Sequence, residues 1–393
     1  MNRNVFIIDA KRSPVGKYGG GLATTEATDL GAKVIIKLID PFKNFYKEVD
    51  EVIVGNVLSA GLGQNPARIT AVRAGVDVKV PAMTVNQVCG SGLKSVILGT
   101  QAIQNEDADL ILAGGIESMS RCPFYLDGYR FGVKFGNQSV RDGMIQDGLF
   151  CSLINQHMGM TGEILAKKFK ISRESQDKFA LKSHQKAVAA RENKRFADEM
   201  VPISVVDKDT DRVITDDEPP RKDTSLKSLS RLKPAFKKEG TVTAGNASSL
   251  SDGAAMVLLG SESFVKNNHI RPMVLVKSYA YVGLAPKYQG LGSYYAAKKC
   301  LSKLGVKLSQ VDLWEINEAF ASQSIAVIDL LEVNPRKVNV NGGAIALGHP
   351  LGSTGARILT TLVHEMKKRQ VQLGLASVCI GGGQGVAMLV ENV

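Results

Sequence analysis

The chain has 393 residues, which is enough for two or three domains and a large buried core. Hydrophobic residues make up 44% and charged residues 22%, a composition that excludes disordered and collagen-like proteins. Lysine and arginine number 49 against 38 aspartate and glutamate, and the net charge of +11 favours anionic partners such as nucleic acid, anionic lipid or a phosphorylated cofactor.

The sequence carries no sign of a membrane span, an export signal or a metal site. No stretch approaches the ~20 apolar residues of a membrane span, and the N-terminal residues lack an apolar signal core. We therefore expect a cytoplasmic protein without a membrane partner. The cysteines are odd in number, contain no CxxC pair and predict reduced thiols without a disulfide framework or zinc site: Cys89, Cys122, Cys151, Cys300 and Cys379.

Apolar runs typical of strands alternate with helical patterns at both ends of the chain. The first part predicts elements over 5–8, 27–39, 52–54, 83–88, 92–103 and 110–113. The last part predicts elements over 274–277, 293–304, 313–316, 318–330, 338–340, 353–368 and 376–379. Both series have the rhythm of strand–helix–strand units, and they predict an α/β protein.

The two series also resemble each other in sequence. The run VDEVIV at 49–54 corresponds to VDLWEI at 311–316, and each half closes on a strand followed by glycines. A duplicated α/β domain is therefore predicted, with one half over 1–120, completed by about 249–270, and the other over 271–393. The segment 121–248 is more polar, contains a helix predicted over 172–191, and is interpreted as an inserted loop domain.

Cys89 lies in the segment NQVCGSG at 86–92, where a strand meets small residues that open a helix. The positive end of a helix dipole lowers the pKa of a thiol, and glycines leave backbone N–H groups free to hold an oxyanion. The alternative is a buried cysteine that acts as a small apolar side chain. The turn itself does not decide between these two interpretations.

His349 lies in the glycine-rich segment GGAIALGHP at 342–350, which is too rich in glycine to form a core. A histidine before a proline is held at a turn, where its imidazole can serve as a base for a thiol. Cys379 ends an apolar strand in CIGGG at 379–383 and can face the same cleft. Asn317 begins NEAF at 317–320, and its simplest interpretation is a helix N-cap, which is compatible with holding a catalytic water. Three of the other histidines are expected at the surface.

Together, NQVCGSG, NEAF, GGAIALGHP and CIGGG resemble the hallmark segments of the thiolase family, over essentially the whole chain. The similarity is strongest to acetyl-CoA acetyltransferases, the acetoacetyl-CoA thiolases. The resemblance implies two similar α/β domains in a five-layered α-β-α-β-α arrangement, an inserted loop domain and a homotetramer or homodimer. It also implies reversible condensation of two acetyl-CoA to acetoacetyl-CoA and CoA through an acetyl-cysteine. CoA thioesters would be the substrates, and no prosthetic group would be needed.

The resemblance assigns catalytic roles to five residues. Cys89 would be the nucleophile, His349 its base and Cys379 the second acid/base. One oxyanion would be held by the backbone N–H groups of Cys89 and Gly381, and the other by His349 with a water fixed by Asn317.

The inserted segment would bind CoA. Its run 221–238 is strongly basic, which alone is typical of a solvated face. By resemblance, Arg221 would lie near the adenine, Ser248 would contact the pantetheine, and His157 would line the acyl pocket. The apolar wall and the remaining contact are assigned to Leu149, Met158, Phe236, Ala244 and Phe320.

Three segments differ from the usual family pattern. Gln289 stands where an apolar methionine is common, in QGLGS at 289–293 rather than MGxGP. The other differences lie at 246–252 and 161–164. A polar Gln289 against the acyl group would favour small or oxygenated acyl groups, since an unpaired buried amide costs on the order of 1–3 kcal/mol.

Two other functions compete with this prediction. A 3-ketoacyl-CoA thiolase of broader chain specificity in fatty acid breakdown would use the same residues with a larger pocket. A non-catalytic anion-binding protein is less compatible with the four hallmark segments, and aromatic residues at 6% offer few stacking surfaces for nucleic acid. No nucleic acid partner is therefore expected.

Overall fold

The structure is a computed structural model that describes residues 3–207 and 210–393. Its strands are β1 (Val5–Arg12), β2 (Gly16–Lys17), β3 (Glu51–Gly55), β4 (Ala82–Val85), β5 (Leu110–Ser118), β6 (Phe124–Leu126), β7 (Val140–Asp142), β8 (Phe150–Cys151), β9 (Gln156–His157), β10 (Ile203–Asp207), β11 (Thr210–Ile214), β12 (Ser251–Ser261), β13 (Val274–Gly283), β14 (Leu313–Ile316), β15 (Leu373–Ile380) and β16 (Gln384–Asn392).

The α-helices alternate with these strands. They are α1 (Ala27–Ile39), α2 (Pro66–Arg73), α3 (Ser91–Gln104), α4 (Met158–Lys168), α5 (Arg173–Glu192), α6 (Leu226–Ser230), α7 (Glu262–Asn267), α8 (Gly292–Ser302), α9 (Ala321–Leu331), α10 (Ala344–Leu347) and α11 (Thr354–Arg369). Within the two described ranges, no helix combines the length and the apolar character that a bilayer span requires.

The large sheet consists of two halves with the same strand order and direction. In the first half, β3 runs parallel to β4 and β5, and β12 lies antiparallel between β5 and β1. In the second, β14 runs parallel to β15, and β16 lies antiparallel between β15 and β13. The strand predicted over 338–340 is a single parallel bridge from Val338 to Trp314, in the position that corresponds to β4. β1 and β13 join the halves through the pairs Phe6–Leu275 and Ile7–Val274.

Apolar cores fill the spaces between the five layers, and the central core covers both sides of the middle helix layer. In the central core, α3 and α11 contribute side chains such as Val96 and Leu362, which pack against strands of both halves. α1 and α2 cover the outer face of the first half. α8 and α9 cover the outer face of the second half around Trp314. The predicted α-β-α-β-α arrangement is therefore confirmed.

The chain leaves this scaffold after β5 and returns at β12. The excursion contains β6 to β11 and α4 to α6, including the helix predicted over 172–191, which is α5. Ser172 caps α5 by accepting a hydrogen bond from the Ser175 N–H at 3.1 Å. The boundaries proposed for the halves and for the loop domain stay predictions.

Two elements have other bounds in the structure than the sequence predicts, because tertiary contacts decide where they end or begin. The strand predicted over 83–88 stops at Val85, where the chain turns toward Cys89. The helix predicted from 318 begins at Ala321, and its N-cap residue is Phe320. Asn317 is therefore not a helix cap, and the interpretation of its side chain as one is wrong.

Candidate active site

Cys89 sits on a tight turn between β4 and α3. Val88, the residue before it, has a φ of 47°, which is a strained conformation for a β-branched side chain. The turn is fixed from both sides: the Val88 N–H donates to Asn86 Oδ1 at 2.9 Å, and the Ser91 hydroxyl donates to the Val88 carbonyl at 2.7 Å. Ser91 also accepts from the Gln87 N–H at 2.8 Å. These bonds hold the nucleophile candidate at the start of α3.

Burial controls the protonation of Cys89. It raises the pKa of this thiol to about 11, although hydrogen bonds from the Gly381 N–H and from the N–H of Cys89 itself oppose the rise. The lower pKa expected from the dipole of α3 is therefore wrong, because desolvation of the thiolate outweighs these donors. The contact places Cys89 beside Gly381, and the resting thiol needs a base to become a nucleophile.

The His349 loop approaches the scaffold closely at Gly348. This glycine has a φ of 95°, and a Cβ there would lie 2.3 Å from Ser251 Oγ, so only glycine fits. His349 is buried, and its N–H donates to the Ser249 carbonyl at 3.2 Å. These contacts fix the backbone segment that carries the imidazole.

The hydrogen bonds of His349 assign its tautomer. Nδ1 lies 2.6 Å from Thr354 Oγ1, and that hydroxyl donates its proton to the Pro350 carbonyl at 2.9 Å. Thr354 must therefore accept from Nδ1–H, which leaves the lone pair on Nε2. Burial, assisted by the charge of Arg357, lowers the pKa of His349 to about 3. His349 is a neutral base with its free nitrogen toward Asn317 Nδ2, 3.4 Å away.

Asn317 follows β14, and its N–H donates to the Ser377 carbonyl at 3.0 Å. Its side chain is fully buried, and Oδ1 has no hydrogen-bond partner among the described residues. Such an acceptor beside the histidine is suited to hold a small polar molecule.

The neighbouring Glu318 fixes the loop that carries Asn317. Its carboxylate accepts from Ser183 Oγ at 2.7 Å and from Asn339 Nδ2 at 2.8 Å. It also accepts from the Ile345 N–H at 3.3 Å. These bonds join α5, the Val338 bridge region and α10, and they keep 317–320 out of the helix.

Cys379 lies at the end of β15 and is buried. Burial, and then the proximity of Cys89, raise its pKa to about 12, while the Ser293 hydroxyl opposes the rise. Ser293 Oγ is buried and has no hydrogen-bond partner within standard geometry among the described residues, so it acts on Cys379 through proximity. The two cysteines therefore share one buried site, although they come from different halves.

A cavity of about 460 Å³ is lined mainly by residues of the inserted segment. Arg221 and Ala244 lie on its wall, as do Ser249 and Leu250. The Ser249 carbonyl accepts from the His349 backbone N–H, and Leu250 packs against the same apolar cluster as Cys89, so these two residues link the cavity to the loops that carry His349 and Cys89. The other lining residues are Lys17, Tyr18, His184, Pro219, Asp223, Thr224, Ser228, Leu229, Leu232, Gly245 and Ile345.

The remaining residues expected to contact CoA do not line this cavity, and most of them pack in the apolar clusters beside Cys379 and Cys89. His157 and Phe236 stack with ring centroids 4.8 Å apart, and Phe236 meets Phe320 edge-on at 6.3 Å. Phe320 and Met158 share an apolar cluster with Cys379, and Leu149 packs against the cluster beside Cys89. Ser248 precedes Ser249, and its N–H donates to the Ala319 carbonyl at 3.0 Å.

Sequence reasoning missed His184 at the cavity. It was expected at the surface with His364 and His269, but His184 and His364 are buried. His184 Nδ1 accepts from the Arg221 N–H at 3.2 Å, and burial lowers the pKa of His184 to about 4. Buried Ala180 and Ala187 share its helix face, and that spacing was the available signal.

Glu117 is a second residue that the sequence did not reveal. Its buried carboxylate accepts from Asn56 Nδ2 at 2.8 Å, the Leu58 N–H at 3.1 Å and the Gly352 N–H at 2.8 Å. Burial raises the pKa of Glu117 to about 7. It ties the loop after β3 to the loop after His349, beside Cys89.

The lowered pKa of His349 predicts an unusual acid limb in the pH profile of kcat/KM. Because burial favours the neutral imidazole, His349 remains a base as the pH falls through 6.5, its ordinary pKa. We expect kcat/KM for acetoacetyl-CoA to show no loss with an apparent pKa near 6.5 and to persist to about pH 5.5. A loss of kcat/KM with an apparent pKa near 6.5 would show that burial does not lower the pKa of His349. Fluorescence of buried Trp314, the single tryptophan, monitors folding across the same range.

Comparisons with known proteins cover the whole chain. The family models for the thiolase N-terminal domain and C-terminal domain match residues 5–263 and 270–392. An acetyl-CoA acetyltransferase of Pseudomonas aeruginosa is 50% identical over 99% of this chain and 100% of its own. The Bacillus anthracis acetyl-CoA acetyltransferase has a TM-score of 0.98 at 39% identity, covering 100% and 99% of the two chains. The human mitochondrial 3-ketoacyl-CoA thiolase in complex with CoA has a TM-score of 0.96 at 43% identity, covering 100% and 98%.

Proposed function

The chain belongs to the thiolase family and is an acyltransferase, and we propose from its site that it condenses two acetyl-CoA reversibly to acetoacetyl-CoA and CoA. One observation carries the proposal. The Gly381 N–H approaches the Cys89 sulfur closely enough to oppose the rise in its pKa, and the proximity of Cys89 raises the pKa of Cys379, so the two thiols lie close together. His349 presents the lone pair of Nε2 beside Asn317.

The first half-reaction acetylates Cys89. Its thiol proton passes to His349 Nε2, and the thiolate attacks the thioester carbonyl of acetyl-CoA. The N–H groups of Cys89 and Gly381 would hold the oxyanion, and their influence on the pKa of the Cys89 thiol supports this role. The bond from the acyl carbon to the CoA sulfur breaks, and the CoA thiolate takes the proton from His349.

The second half-reaction forms the carbon–carbon bond. The proton of the Cys379 thiol first moves to His349 Nε2. The Cys379 thiolate then takes a proton from the methyl group of a second acetyl-CoA, and the His349 Nε2–H stabilises the enolate oxygen that forms. The unpaired Oδ1 of Asn317 supports its role in holding a water beside this oxygen. The enolate attacks acetyl-Cys89, the bond from carbon to sulfur breaks, and Cys89 recovers the proton from His349. Every proton is thereby returned.

CoA thioesters are the proposed ligands of the cavity. The exposed guanidinium of Arg221 and the ammonium of Lys17, on residues of its wall, provide positive charge for the phosphates. Met158, Phe236 and Phe320 provide an apolar inner surface for the chain that carries the thioester. The scheme requires no metal or redox group. The homodimer or homotetramer and the cytoplasmic location stay predictions.

Chain length separates this proposal from a broader 3-ketoacyl-CoA thiolase, which the similarity to the human enzyme also supports. We expect thiolysis of acetoacetyl-CoA to exceed that of six-carbon and longer 3-ketoacyl-CoAs, because aromatic side chains pack beside Cys379 and the polar Gln289 amide lies near Gly381, an arrangement that disfavours a long apolar acyl chain. Initial rates of loss of 3-ketoacyl absorbance measure this preference, with parallel double-reciprocal plots for an acyl-enzyme. A clear preference for longer chains would favour the broader thiolase.

A further inference from the structure

Gln289 lies near Gly381, and its amide orientation is fixed by the contacts around it. It is 4% exposed, and its Nε2 donates to Thr161 Oγ1 at 2.9 Å. The Thr161 hydroxyl donates its own proton to the Met158 carbonyl at 2.7 Å. Thr161 can therefore only accept from Gln289, so the amide nitrogen faces Thr161 and Oε1 faces the other way.

The space that Oε1 faces is the space over Gly381. A Cβ built on Gly381 would lie 3.9 Å from Gln289 Oε1 and 3.4 Å from both Met158 Sδ and Val88 Cγ1. Gly381 is the residue whose N–H bonds the Cys89 sulfur, and Val88 directly precedes Cys89. An acyl group on Cys89 that lies over Gly381 would therefore touch Oε1.

Gln289 Oε1 accepts no hydrogen bond from any described residue, so its capacity as an acceptor is free for a ligand. A neighbouring methyl group would desolvate this oxygen without replacing its hydrogen bond, which is unfavourable. A hydroxyl at the same place would donate to it. The pocket therefore discriminates by chemistry as well as by size.

We infer that Gln289 makes this chain selective for short acyl groups that carry a hydroxyl on the carbon next to the thioester carbonyl. The inference rests on the proposed function, because the acyl group must be bound to Cys89. The substrate class is a short hydroxyacyl-CoA, and the enzyme transfers its hydroxyacyl group through Cys89 to the enolate of acetyl-CoA. The covalent chemistry is unchanged, since the hydroxyl forms a hydrogen bond and takes no part in bond making.

Hydroxyacetyl-CoA and propionyl-CoA test the inference, because they differ only in a hydroxyl in place of a methyl group. The measurement is kcat/KM for each as acyl donor with acetyl-CoA, expressed as a ratio within each protein. This ratio does not depend on how much of a variant is folded. We expect the wild type to favour hydroxyacetyl-CoA, and Gln289→Met to lower the ratio by about 10-fold or more.

Thr161 gives a matched pair of variants for the orientation of the amide. Thr161→Val removes the acceptor that fixes Gln289 Nε2, so the ratio should fall toward that of Gln289→Met. Thr161→Ser keeps the hydroxyl and should keep the wild-type ratio. Equal ratios in all three variants and the wild type, or a wild-type preference for propionyl-CoA, would overturn the inference.

Acetyl-CoA separates a failure of the inference from a failure of the proposed function. If the wild type condenses acetyl-CoA but does not distinguish the two donors, only the role of Gln289 is overturned. If the wild type transfers none of the three acyl groups, the proposed function fails and the inference fails with it. If the ratio falls in Gln289→Met and Thr161→Val but not in Thr161→Ser, the result supports both the inference and the proposed function.

Discussion

Replacing Cys89 by alanine is expected to lower kcat for thiolysis of acetoacetyl-CoA by about 10,000-fold or more. The sulfur is the atom that receives the acyl group, and no other described thiol shares its contact with the Gly381 N–H. His349 would keep its tautomer, since its bonds go to Thr354 and Asn317. The fall should therefore appear in kcat, while CoA binding in the cavity persists.

Cys300→Ala is the matched control. Cys300 is also a free thiol, but it is buried on α8 in the outer core of the second half. Its removal should cost some stability through a small cavity and leave the rate nearly unchanged. Comparable rates for Cys89→Ala and Cys300→Ala would rule out Cys89 as the nucleophile.

Replacing Cys379 by alanine is expected to slow the condensation half-reaction and to leave the acetylation half-reaction active. Condensation should fall by about 100- to 10,000-fold, because the methyl proton of acetyl-CoA loses its acceptor. Exchange of the acetyl group between acetyl-CoA and labelled CoA should continue, because it uses Cys89 and His349 and breaks no carbon–hydrogen bond. Isotope exchange and condensation rates on one preparation measure both quantities.

The Cys379 prediction contains its own control for folding. A protein that exchanges acetyl groups has an intact cavity and nucleophile, so loss of condensation alone assigns Cys379 to proton transfer. An equal fall in both rates would show that Cys379 is needed for acylation as well. Solvent deuterium incorporation into acetyl-CoA should disappear together with condensation.

The sequence predicted the scaffold well where periodicity alone decides the structure. Helix α1 matches its predicted range of 27–39, and β14 matches 313–316. The related runs VDEVIV and VDLWEI include β3 and β14, which occupy equivalent positions in the two halves. Local patterns succeed here because β14 is buried on both faces and α1 is buried mainly on one.

Prediction failed where distant residues decide local structure. The start of α9 is delayed because Glu318 bonds groups on three other elements, which no local pattern encodes. The pKa of Cys89 rises because the folded chain surrounds it, and the dipole expected from its neighbours does not compensate. The facing direction of the Gln289 amide depends on Thr161, 128 residues away in sequence.

The four motifs indicated the residues of the site but not their bonding. His349 was expected as a base, and only the Thr354 hydroxyl assigns the lone pair to Nε2. Cys89 and Cys379 were expected in one cleft, and the contact through Gly381 brings them there. Their catalytic roles stay proposals that kinetics can test.

Covalent transfer through Cys89 is tested most directly by trapping the acyl-enzyme. Wild type and Cys379→Ala are mixed with isotopically labelled acetyl-CoA, quenched in acid within a turnover, digested and analysed by mass spectrometry. We predict one acetyl group on the peptide that contains Cys89, with more of it in Cys379→Ala because condensation no longer consumes it. Labelled acetyl on a different residue, or none in either protein while acetyl exchange proceeds, would contradict the mechanism.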